Sequence, residues 1–151
     1  MANGFDYTRL KRLIIAYYIV QGLLIALLAS IAVWLRHMPQ HLFISSLTRA
    51  IMAQVMIAYP VYRFASHEAK QEAYSCNVLL SSDEVETLQH NRVTGDIVTA
   101  VVFTFFLLFT LGAPQLPGVR LCILLLFILM ALCYLQCYNF VAKQQMKANA
   151  R

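Results

Sequence analysis

Arg49 is the residue whose chemistry most needs explaining, because it lies about seven residues into an apolar run from Leu42 to Tyr62. At 1.5 Å per helical residue its Cα sits roughly 10 Å inside that run. A charge at such depth in hydrocarbon costs at least about 2.5 kcal/mol unless it is paired or reaches water. None of the chain's long apolar runs contains an Asp or Glu, so no acid at the same depth offsets it. Three chemistries follow. The side chain can snorkel to the headgroups, pair with an acid or carbonyl of another subunit, or hold an anionic substrate or lipid headgroup. Ser45 and Ser46, one turn nearer the end of the run, would add hydroxyls to such a partner or anion contact.

Amides and hydroxyls inside the apolar runs form a second group. Gln21, Gln54, Thr104 and Gln136 all fall at a depth of roughly 9–12 Å from the more basic side, counted at 1.5 Å per residue. Amides in hydrocarbon seek partners, and interhelical bonds there are worth about 0.6–2 kcal/mol. Equal depth predicts one intramembrane polar layer inside a bundle, with Tyr59 and Asn139 nearby. Gly22, Ala26 and Ser30 recur at four-residue intervals, a small-residue stripe that allows close helix packing.

Other chemistries lack their residues. His37, His41, His67 and His90 all fall outside the apolar runs, so no axial haem pair exists at membrane depth and no cofactor is expected. His37, Met38 and His41 are copper or zinc donor types, but two His residues in an interfacial turn read as solvated, and no metal is expected. The cysteines are Cys76, Cys122, Cys133 and Cys137, with no Cys-x-x-Cys motif, which sets aside four-helix thiol oxidases. Proton-coupled carriers need an intramembrane carboxylate, absent here. Four-span glutathione-handling enzymes follow the Arg of their second span with Asn and Glu four and seven residues later. Ala53 and Met56 occupy those places, so no catalytic residue is assigned and the chain reads as no enzyme.

The elements that must position these residues follow from composition. The 151 residues are 60% hydrophobic and 13% charged, about half the charge of a soluble domain. The net charge of +5 reflects basic residues gathered beside apolar runs rather than nucleic-acid binding. Runs at about 13–35, 42–62, 97–112 and 119–142 each approach the length needed to cross a bilayer. The expected fold is all-α, a single four-span membrane domain over residues 1–151. Links of five or six residues after the first and third spans predict two antiparallel hairpins. Nine basic residues fall on one side of the spans and two, Arg36 and Arg120, on the other. This predicts cytoplasmic N- and C-termini in a bacterial inner membrane.

Residues 63–96 should form a short helical cytoplasmic segment. The second helix continues past Tyr62, Ser81 to Glu84 form a capping box, and Thr94-Gly95-Asp96 resets the chain before the third span. Val85 and Leu88 would give the intervening helix one apolar face, for the membrane surface or for a soluble cytoplasmic partner. The functional expectation is a non-catalytic accessory, scaffold or assembly subunit of a larger membrane complex, in contact with lipid and with other membrane subunits or copies of itself. The alternative is a small oligomeric channel or carrier for an anion or neutral solute, using Arg49 and the Gln21, Gln54 and Gln136 layer.

Overall fold

A computed structural model describes residues 6–34, 40–76, 81–112 and 118–149. Arg36, His37, Met38 and residues 113–117 lie outside the described residues. The described residues form four helices: α1 (Thr8–Trp34), α2 (Gln40–Tyr74), α3 (Ser82–Gly112) and α4 (Val119–Ala148). Each is long and apolar enough to cross a membrane, and the chain is an integral multi-pass membrane protein.

Local chemistry sets the helix ends. Asp6 accepts hydrogen bonds from the amide (3.0 Å) and hydroxyl (2.7 Å) of Thr8, occupying donors left free at the start of α1. Ser81 and Glu84 form the expected capping box at α3. The Ser81 amide donates to the Glu84 carboxylate at 3.0 Å, and the Glu84 amide donates to the Ser81 hydroxyl at 3.4 Å. Gly118 precedes α4 at φ +88°, a left-handed conformation that favours glycine.

At 35 residues, α2 is about 52 Å long, well beyond the roughly 30 Å of a bilayer core. It runs unbroken through Pro60 and past Tyr62, as expected. Contrary to expectation, α3 is also continuous from Ser82 to Gly112, and Thr94-Gly95-Asp96 does not reset the chain. A single Gly costs a helix only about 1 kcal/mol relative to Ala, and here no Pro accompanies it.

The most extensive packing joins α2 to α4, helices not adjacent in sequence, and α1 packs next most closely on α4. Residue pairings set their directions. Ser46 meets Gly118 and Phe64 meets Tyr134, so α2 and α4 run parallel. Asp6 meets Cys76 and Arg9 meets Glu72, so α1 is antiparallel to α2 and hence to α4, against which Tyr17 meets Tyr138. Ala50, Ala65, Ala69 and Ala73 are the buried alanines of α2; the last three pack in one cluster with Tyr138, Val141 and Ala142 of α4 and Leu10 and Ile14 of α1. Side chains ending at Cβ let two helix backbones approach closely. α3 touches the others sparsely, and no residue of its apolar stretch is buried.

Candidate functional site

Beyond Tyr62 the face of α2 that carries Ala65 and Ala69 also carries Glu68 and Glu72, one turn apart. Glu72 is buried, its side chain 10% exposed, and receives two guanidinium groups. Arg9 of α1 lies at 3.5 Å and Arg92 of α3 at 3.7 Å, both through Nε. Glu68 accepts a hydrogen bond from the Tyr134 hydroxyl of α4. Both carboxylates lie on the extension of α2 past its apolar stretch. Burial pushes each above the ordinary carboxylate range; the Tyr134 bond at Glu68 and Arg9 at Glu72 act in the opposite direction. Tyr17 and Tyr138 meet edge to face beside this group, with ring centroids 4.8 Å apart.

Gly95 brings α3 to this cluster. A Cβ at that position would lie 2.6 Å from Glu68 Oε1, so only glycine allows the approach without moving the carboxylate. Thr94-Gly95-Asp96 is therefore a point of contact within a continuous helix. Val85 and Leu88, expected to form an apolar face for the membrane surface or a soluble partner, border the open cavity beside this cluster, with Val85 still half exposed.

That cavity has a volume of about 760 Å³ and is bounded by all four helices. Arg9, Glu68, Glu72, Arg92 and Asp96 line its charged end, and Leu24, Phe103, Phe127 and Leu135 line its apolar end. Sequence reasoning missed this site. The one signal was faint: Glu68 and Glu72 share a helical face with Ala65, Ala69 and Ala73, small residues that allow a close helix approach.

Arg49 lies on an exposed part of α2 and makes no hydrogen bond or ion pair among the described residues. Ser46 is buried, and its hydroxyl donates to the Gly118 carbonyl at 3.1 Å, so it ties α2 to the start of α4. Ser45 is half-buried.

Gln21, Gln54 and Asn139 turn inward, and buried amide atoms of all three have no hydrogen-bond partner among the described residues. Thr104 and Gln136 face outward, so the four residues expected as one interior layer are not all inside the bundle. Depth was legible from residue counting, but azimuth was not, and Gln136 lies about 100° around α4 from buried Leu135.

Gly22, Ala26 and Ser30 are exposed, and nothing lies within 4 Å of a Cβ added at Gly22. The face of α1 turned toward the chain is instead Leu10, Ile14, Tyr17, Gln21, Leu24 and Leu28, at heptad spacing. Among the described residues no group of three His, Cys, Asp or Glu side chains is arranged to hold a metal.

No protein-family model, curated protein or solved structure matches this chain.

Proposed function

We propose that the chain is a non-catalytic accessory, scaffold or assembly subunit of a larger membrane protein complex. The observation that carries this reading is Arg49, a cation within the apolar stretch of α2 that faces away from the chain's own interior. A carboxylate or carbonyl of a neighbouring subunit would offset the roughly 2.5 kcal/mol or more that its burial in lipid costs. The outward stripe of Gly22, Ala26 and Ser30 and the unburied apolar stretch of α3 are further surfaces for membrane partners. The nine-to-two distribution of basic residues supports cytoplasmic termini in a bacterial inner membrane, and the short links support two sequential hairpins. The exposed start of α3 is the surface offered to a soluble partner.

A channel or carrier built on Arg49 and the Gln residues would not use the cavity at the charged cluster, which is lined by none of Arg49, Gln21, Gln54 or Gln136.

Purification of the tagged chain from its native membrane in mild detergent, with intact-mass measurement, tests the reading. Stoichiometric partner chains are expected, and Arg49→Leu should release them while leaving the chain folded. A homo-oligomer or monomer without partners would overturn it.

A further inference from the structure

The cavity among the four helices is divided along its length. The side chains of its apolar wall (Val20, Leu24, Phe103, Phe127, Ala131 and Leu135) all come from the apolar stretches of α1, α3 and α4. The charged wall lies where α2 and α3 extend beyond those stretches. Its volume of about 760 Å³ is within the roughly 300–1,000 Å³ of small-molecule sites. A ligand filling both parts must have an apolar chain and a polar head.

Charge placement defines the head. Arg9 and Arg92 share one carboxylate, Glu72, which leaves one positive charge in excess at that point. Glu68 is bonded to a neutral phenol, and Gly95 holds α3 against it, which places the neighbouring Asp96 on the same wall. The cavity therefore offers one net positive charge where Arg9 and Arg92 flank Glu72, and two further carboxylates at Glu68 and Asp96, so that an anion and a cation of one headgroup can each find a partner.

We propose that this cavity binds an amphiphile with a zwitterionic head, a phosphate ester carrying an ammonium group, as in a zwitterionic phospholipid. Its phosphate lies toward Arg9 and Arg92, its ammonium toward Glu68 and Asp96, and one acyl chain runs along Leu24, Phe103 and Phe127. The sparse contacts of α3 with the rest of the chain make its flank the route of entry from the bilayer.

The test uses the full chain, delipidated in detergent and titrated under native mass spectrometry. The probes are phosphatidylethanolamine, phosphatidylglycerol with the same acyl chains, and free phosphoethanolamine. One phosphatidylethanolamine should be retained per chain, at least about tenfold more tightly than phosphatidylglycerol. Asp96→Asn should erase that preference, and Ala131→Phe, which fills the apolar wall, should reduce retention of both lipids. Equal retention of the two lipids would overturn the proposal. So would equal competition by free phosphoethanolamine, which would assign the site to a soluble zwitterion. Should either variant fail to fold, the preference of the unsubstituted chain decides.

Discussion

At Glu68 three helices depend on one side chain. Its carboxylate accepts from Tyr134, and its Oε1 would lie 2.6 Å from any Cβ at position 95. Gly95→Ala therefore forces the carboxylate aside, and the most it can cost is the Tyr134 hydrogen bond to the other oxygen, Oε2. With a charged acceptor this is worth about 1.5–3 kcal/mol. Tyr134→Phe removes the same bond from the other end. Tyr134→Phe should lower the thermal midpoint in detergent, Gly95→Ala should lower it less because alanine adds about 1 kcal/mol of helix propensity, and the double variant should cost no more than Tyr134→Phe alone. Full additivity would show that the two substitutions act separately. Ser46→Ala should cost about 1 kcal/mol through its bond to the Gly118 carbonyl. Gly118→Ala should cost more, about 1–3 kcal/mol, because φ +88° is strained for alanine and Ser46 Oγ already lies 2.9 Å from the added carbon. A Gly118→Ala midpoint at or above that of Ser46→Ala would contradict this order. Little of the charged site was legible in the sequence, because Glu68, Glu72, Arg9 and Arg92 lie in polar stretches where solvation is the ordinary reading. Their convergence depends on α2 and α3 remaining helical for several turns beyond their apolar runs. Arg49 was legible because charge within an apolar run needs no tertiary context to be noticed.

Among the helices, the same small-residue pattern occurs twice with opposite surroundings. Ala65, Ala69 and Ala73 are fully or almost fully buried in the core shared with α4, whereas Gly22, Ala26 and Ser30 are exposed. Ala69→Leu should separate α2 from α4 and cost about 1–3 kcal/mol by overpacking. Ala26→Leu should leave the isolated chain's melting temperature unchanged while weakening any complex held by that stripe. Comparison of the two variants by thermal melting and by partner recovery checks both statements, and an equal loss of stability would refute the assignment of faces. The number, type and approximate placement of the helices were legible, because unbroken apolar length is a strong signal. Which helix faces meet was not. Short links limit how consecutive helices turn, but they do not decide which pairs pack most closely. The heptad seam of α1 was present in the sequence, but the small-residue stripe beside it was the more conspicuous pattern. The two helical extensions also differ. That of α2 is buried against α1 and α4, while the start of α3 is largely exposed. Amide hydrogen exchange should therefore be faster over 83–94 than over 64–73, and the reverse order would contradict this packing.

For the whole molecule, the closest packing joins the second helix to the last. The charged end also ties the start of the chain to the middle: the Asp6 amide donates to the Cys76 carbonyl at 2.8 Å, and Arg9 reaches Glu72 at 3.5 Å. With the proposed orientation, reporter fusions at both termini should read as cytoplasmic, and one within 113–117 as external. Opposite sides for the two termini would refute an even number of crossings. Reliance on α4 also has a consequence for synthesis. Until the ribosome releases the last helix, Ala65, Ala69 and Ala73 have only α1 to close against and lack the larger part of their core. At ordinary elongation rates this interval lasts on the order of ten seconds. Through that time the nascent protein consists of inserted but unassembled helices, dependent on insertion machinery or chaperones for protection. A message truncated before residue 119 should accordingly yield a product that quality-control proteases remove, even though three of its four helices have already entered the bilayer.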